Sequence, residues 1–177
     1  ADNALFRQAM QLRQHMSFLV DNIYSYLQLD VLEALWQQLS ADLQKSSDFE
    51  EVAKMHDNYL QKILEQSFLN YQEVLKAIQD VLYVSTKMCK FLSQMDAEHL
   101  LDGDFAPRFL QIKRDFETLS NKIFNMLNSY KESSHRSSPQ LAQLLLRIDY
   151  NDFFSRLTEK FERMASQHML KSKYAGY

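Results

Sequence analysis

Glycine and proline are scarce in this 177-residue chain, which contains only two of each. Strand-rich folds need turn residues about every 8–12 positions, so this scarcity argues against a β architecture. Hydrophobic residues make up 46% of the sequence, and a single domain of this length buries roughly 70% of the surface of its unfolded chain. The composition therefore predicts one all-α domain spanning residues 1–177.

Cysteine is almost missing too, since Cys89 is the only one. A disulfide within the chain is excluded, and the pattern is typical of a reducing compartment. Because Cys89 lies among apolar residues at helical spacing, we expect an inert thiol in the core. No apolar run approaches the roughly 20 residues of a membrane span. With a net charge of −3, neither nucleic acid nor membrane is expected as a partner.

Sequence patterns that carry chemistry are also lacking. Neither Gly103 nor Gly176 belongs to a phosphate-binding loop, and the five histidines form no metal-ligand cluster. His56 lies on an apolar helix face, which predicts a buried structural histidine. We therefore expect no cofactor, no metal and no catalysis, and an enzyme or metalloprotein is the third-ranked hypothesis.

What the chain does have is helical periodicity. The first helix is expected from Asn3 to about Lys45, with an apolar stripe that runs through Trp36. Trp36 is therefore predicted to be structural, and truncating it to alanine should then cost about 3–5 kcal/mol. The stripe consists of Leu12, Met16, Leu19, Ile23, Tyr26, Leu32, Trp36, Leu39 and Leu43.

Shorter helices follow. Ser47 and Glu50 have the spacing of a capping box that begins the second helix, and Pro139 suits the first position of a late helix. The fold class predicted is an all-α bundle of five or six antiparallel helices with a long first helix. The expected later helices are about Phe49–Phe68, Tyr71–Met95, Phe109–Tyr130 and Gln140–Ile148, then one containing Phe154, Leu157, Phe161 and Met164.

Charge is distributed unevenly along the chain. Residues 28–57 contain seven acids and two lysines, whereas residues 156–177 contain five Lys or Arg and two Glu. Such segments form either solvated helix faces or polar docking surfaces. The opening "ADNALFRQAM" lacks an initiator Met and is at once helical in pattern, which suggests a fragment of a longer protein.

The stretch "LLLRIDYNDFF", residues 144–154, mixes large apolar groups with an Arg, two Asp and an Asn. It is predicted to be a helix end, a turn and a helix start. Asn151 or Asp152 is expected to cap the next helix. Capping leaves Arg147 and Asp149 without an explanation.

Three ordered blocks of the sequence resemble the γ-tubulin complex protein family. The first is "LRQHMSFLVDNIYSYLQLDVLEALW" and the second "DFEEVAKMHDNYLQKILEQSFLN". The third resembles the family's terminal Leu-Arg-hydrophobic-Asp-aromatic-Asn-x-aromatic-aromatic signature. Its matching residues are Arg147, Asp149, Tyr150, Asn151, Phe153 and Phe154.

The resemblance covers most of the chain from Leu12 to Phe154. Within the family, the chain resembles more narrowly the later part of the C-terminal γ-tubulin-binding domain. The short links at Met88–Phe109 and Lys131–Gln140 favour a compact member, most like the fourth paralogue. The resemblance implies a non-catalytic scaffold that binds γ-tubulin and other complex components and supports microtubule nucleation at a centrosome or spindle pole. The alternative is a generic helical adaptor that binds partner helices, as in tethering complexes.

Residues for γ-tubulin binding follow from the resemblance together with interface chemistry. Protein interfaces favour Arg and aromatic anchors with a polar rim. The same residue types would also serve if they only held the helices of this chain together. The candidates are Arg147, Asp149, Tyr150, Asn151 and Phe153, with Arg13 and Tyr26 behind them.

Overall fold

The computed structural model describes residues 2–94, 104–133, 139–150 and 154. These residues contain helices and turns and no strand, so the all-α prediction is confirmed. The helices are α1 (Asp2–Ser25), a π-helical segment (Tyr26–Glu33), α2 (Ala34–Leu43), α3 (Phe49–Gln66), α4 (Gln72–Ser93), α5 (Phe105–Ser133) and α6 (Pro139–Ile148).

The first three of these elements follow one another without a break, so the predicted long first helix exists. We call this continuous element, made of α1, the π-helical segment and α2, the rod. With the rod counted as one helix, the described residues form a bundle of five helices. The expected last helix lies outside the described residues except for Phe154.

The π segment changes the register of the rod. Its hydrogen bonds reach back five residues instead of four, as when the Ala34 N–H donates to the Leu29 carbonyl. Tyr26 and Val31, five positions apart, are therefore both buried. The buried stripe continues through Leu35 and Leu39. The predicted stripe was wrong at Leu32 and Trp36, whose side chains face solvent at 38% and 56% exposure, whereas its member Leu39 is buried as predicted.

The core lies between the rod's first half and α4, α5 and α6. Leu12, Met16, Leu19 and Ile23 are buried as predicted. The α4–α5 pair closes at one end where the rings of Phe91 and Phe105 stack with centroids 4.2 Å apart. Other fully buried large side chains are Phe109, Phe116, Met88, Ile123, Leu127, Leu141 and Leu144.

Helices α2 and α3 form a hairpin with a different character. They pack mainly on each other and on the π segment, and α3 contains no buried residue. The cap of α3 is Asp48, whose carboxylate accepts a hydrogen bond from the Glu50 N–H at 3.0 Å. The predicted Ser47–Glu50 capping box was therefore wrong: a carboxylate one position later already accepts the first free amide.

Candidate partner-binding surface

Arg147, in the last turn of α6, forms an ion pair with Asp30 of the π segment. The two side chains are 36% and 22% exposed, so the pair lies at the edge of the core. The Nε of Arg147 is itself buried and has no hydrogen-bond partner in the part of the chain that the structure describes. The first unexplained polar residue of the 144–154 stretch thus joins α6 to the rod.

The second, Asp149, fixes the chain after α6. Its carboxylate accepts a hydrogen bond from the Phe154 N–H at 2.8 Å. The Phe154 ring is buried and stacks on Phe124 of α5 with centroids 5.1 Å apart. Asp149 therefore satisfies a backbone amide beyond the end of α6, while the predicted caps Asn151 and Asp152 lie outside the described residues.

Tyr150 directly follows Asp149 and faces solvent. It is 83% exposed and borders a surface groove of about 360 Å³. Leu146, one turn earlier on α6, is also solvent-facing at 74% exposure. The groove is lined by Gln11, Gln14, His15, Phe18, Ile148, Tyr150 and Phe154. An aromatic rim with amide donors and acceptors suits a protein partner better than a charged small ligand.

His15 forms the floor of this groove. Its ring meets the edge of Phe116 at a centroid distance of 5.3 Å and tilts on Phe154 at 6.1 Å. Burial lowers the pKa of His15 below its ordinary value of 6.5, and the nearby Glu117 carboxylate partly opposes that shift. The floor of the groove is therefore uncharged at neutral pH.

The seven sequence-predicted site residues do not form one surface. Arg147, Asp149 and Tyr150 lie together at the end of α6. Tyr26 is buried, and its hydroxyl donates to the Gln66 carbonyl at 2.9 Å, so it supports the fold. Arg13 is exposed, but at 100° per residue it lies on the other flank of α1 from Gln14 and Phe18. Asn151 and Phe153 lie outside the described residues.

A second exposed apolar surface lies on one flank of the hairpin, and sequence reasoning missed it. Trp36 meets the ring of Tyr59 at 6.3 Å, and His56 meets the same ring at 6.4 Å. We call Leu32, Trp36, His56 and Leu60 the hairpin flank. The structural prediction for Trp36 and His56 was wrong, because the π segment turns the first outward and α3 has no core to bury the second.

Cys89 is exposed on α4, so the predicted core thiol was wrong: Met88, one residue earlier, takes the buried position. Within the described ranges, no three His, Cys, Asp or Glu side chains come close enough to hold a metal ion. None of the helices described there is long and apolar enough to cross a membrane.

Fold and surface together describe a helical bundle whose exposed features suit protein partners, and comparison with known sequences gives its family. The model of the family described as "Gamma tubulin complex component C-terminal" matches residues 1–154. The chain therefore belongs to this family.

Relatives within the family point to one branch. The chain is 36% identical to gamma-tubulin complex component 4 of Mus musculus and of Homo sapiens. Each alignment spans 146 residues, or 82% of this chain. Identity to gamma-tubulin complex component 2 of Mus musculus is 24% over 171 residues, or 93% of this chain. The resemblance to the fourth paralogue is thus confirmed. The chain spans about a fifth of these relatives, 21% and 18% of their respective lengths.

Proposed function

We propose that this chain is a non-catalytic γ-tubulin-binding module of a γ-tubulin complex component. It would act with other complex components to support microtubule nucleation at a microtubule-organising centre such as a centrosome or spindle pole. We also propose that residues 1–177 are one helical domain within a larger C-terminal γ-tubulin-binding domain. Family membership across residues 1–154 supports this function, and the relatives' name itself contains γ-tubulin.

The observation that carries the proposal is the groove beside Tyr150. The hydrogen bond from the N–H of the buried Phe154 to the Asp149 carboxylate fixes the backbone next to Tyr150. An exposed aromatic on a fixed backbone loses little entropy on binding, which is the usual character of an interface anchor. We therefore place the γ-tubulin contact on the α1–α6 surface that holds Tyr150 and Phe18.

The test is γ-tubulin binding to this chain carrying Tyr150→Ala. Because Tyr150 is 83% exposed, its removal should leave the melting temperature unchanged while binding weakens about tenfold or more. Tyr83→Ala is the matched control, since Tyr83 is a 63% exposed tyrosine on α4. Equal binding by wild type and Tyr150→Ala would move the contact elsewhere. Absence of binding by the wild-type chain would contradict the module itself.

The hairpin flank favours a second role, the helical adaptor. Leu32, Trp36 and Leu60 are exposed in two neighbouring rows, and a partner helix lying between such rows would bury them. Another γ-tubulin complex component is the partner we propose for this flank. Loss of co-sedimentation with that component in Trp36→Ala, with γ-tubulin binding retained, would separate the two roles.

A further inference from the structure

The hairpin formed by α2 and α3 is attached to the bundle mainly through the π segment. Its two helices pack principally on each other and on the π segment. Among the described residues, the hairpin meets the core cluster through Leu35 of α2 and the partly buried Tyr59 and Ile63 of α3, so burial of apolar surface fixes its angle to the bundle only weakly. The side chains that tie the π segment to the bundle add the remaining constraint on this angle.

The first tie lies where α3 ends. Tyr26 donates its hydroxyl hydrogen to the Gln66 carbonyl at 2.9 Å, and its ring stacks on Phe68 at 5.6 Å. Phe68 is buried and has φ of 63°, a conformation that is strained for a bulky residue. The turn between α3 and α4 is thus pinned to the start of the π segment.

The second tie is the ion pair of Arg147 and Asp30, which joins residues 117 positions apart. The pairs Lys45–Asp42 and Lys76–Asp80 are different, since each links neighbours three or four positions apart in sequence. A tie at Tyr26 alone leaves rotation about one point open. A tie at Asp30, one π turn further on, opposes that rotation.

We propose that Asp30 and Arg147 are positioning residues that set the orientation of the α2–α3 hairpin relative to the surface at the end of α6. The buried Nε of Arg147 has no hydrogen-bond partner in the described part of the chain. The guanidinium therefore depends on Asp30 for its charge partner. Removing that carboxylate leaves a partly buried, unpaired cation that is more stable when solvated. Arg147 moves outward, and the hairpin is released from its second point.

The proposal is tested by measuring distances between spin labels in the full chain. The single cysteine is replaced by Cys89→Ser, and labels are attached at Gln44→Cys on the hairpin tip and Thr118→Cys on α5, both exposed positions. We expect a narrow distance distribution for the wild-type pair. Asp30→Asn and Arg147→Gln should each broaden and shift it, while the helical circular dichroism signal is retained.

A charge swap and a matched control complete this experiment. The double variant Asp30→Arg with Arg147→Asp keeps the summed length of the two side chains, so it should restore the narrow distribution. Asp80→Asn removes an ion pair inside α4 and should change nothing. The proposal is overturned if the swap stays as broad as the single variants, if the single variants behave like Asp80→Asn, or if broadening comes only with loss of helical signal.

Binding of γ-tubulin supplies a second measurement, which rests on the proposed function whereas the distances do not. If Arg147 acts through the hairpin, Arg147→Gln weakens binding and the charge swap restores it along with the distances. Restored distances without restored binding would make Arg147 a direct contact and overturn its role in binding through position. Absence of binding by every variant, with the distances behaving as expected, would contradict the proposed function alone.

Discussion

The bundle and the hairpin are built from similarly amphipathic helices, but only the bundle has a core. Helix α4 buries seven residues along its 22 positions, whereas α3 buries none along its 18. The difference lies in the number of neighbours. Helix α4 packs on two separate helices, α5 and α1, whereas the neighbours of α3, which are α2 and the π segment, are consecutive parts of the same rod. An apolar stripe thus does not by itself make a core, because burial needs packing on more than one side.

Charge divides the two regions as well. The acidic segment of residues 28–57 covers the π segment, α2 and the first half of α3. By contrast, a surface groove between α4 and α5 is lined by residues of both charges, among them Lys87, Lys90, Arg108 and Asp115. The hairpin is thus acidic and exposed, with an apolar flank, whereas the bundle carries charges of both signs around a buried core. The two regions should therefore differ in how much stability they lose on substitution.

The largest contrast should come from removing a ring in each region. Phe116→Ala, at a position with 0% exposure in the bundle, should lower the free energy of unfolding by about 3–5 kcal/mol. Phe49→Ala, at 83% exposure in the hairpin, should stay within about 0.5 kcal/mol of wild type. Urea denaturation followed by circular dichroism measures both. Similar losses of stability in Phe116→Ala and Phe49→Ala would contradict the distinction between bundle and hairpin.

The junction between the regions should show an intermediate effect. Tyr26→Phe keeps the buried ring and removes the hydrogen bond to the Gln66 carbonyl. Its loss should cost about 1 kcal/mol, and an unsatisfied buried carbonyl could raise that to about 2 kcal/mol. Tyr24→Phe is the control, because Tyr24 is 64% exposed on the same rod. Equal stability of Tyr26→Phe and wild type would show that the ring contacts alone hold the hairpin base.

The hydrogen bond accepted by Asp149 offers a similar test within the bundle. Asp149→Ala removes the acceptor of the Phe154 N–H and should cost about 1 kcal/mol, while Asp149→Asn keeps an acceptor and costs less. Thermal unfolding measures the order of the three proteins. Alanine and asparagine variants of equal stability would argue that the charge, not the hydrogen bond, matters here.

Acid should destabilise the bundle through His15. Its folded-state pKa lies below the value of 6.5 that it has in the unfolded chain, so the unfolded chain binds more protons as the pH falls through that value. This contribution is complete above pH 6.5 and is lost below it. His15→Gln should therefore lose less free energy of unfolding than wild type between about pH 7.5 and about pH 5.5.

A small effect is expected at Trp36, where the sequence had predicted a large one. At 56% exposure, Trp36→Ala should cost less than about 1 kcal/mol. Trp36 is the only tryptophan, so its fluorescence in the wild-type chain should be that of a solvent-facing indole and be readily quenched by iodide. A stability loss near that of Phe116→Ala would place Trp36 back in a core.

The sequence by itself determined the fold class and most helix bounds. Scarce glycine and proline exclude strands, and the spacing of Leu12, Met16, Leu19 and Ile23 fixes one face of α1, because that pattern is local. The link before α3 and the start of α6 at Pro139 are local signals too. The family resemblance was readable for the same reason, since its blocks are contiguous stretches.

Only the tertiary structure decided which residues beyond Tyr26 face inward. The π segment turns the rod so that Val31 and Leu35 are buried while Leu32 and Trp36 are exposed, and a helical pattern read at 3.6 residues per turn cannot show that change. The partners of Arg147 and Asp149 were likewise hidden. Asp30 lies 117 positions from Arg147 in sequence, and contacts between distant residues depend on how the helices pack, which no local pattern encodes.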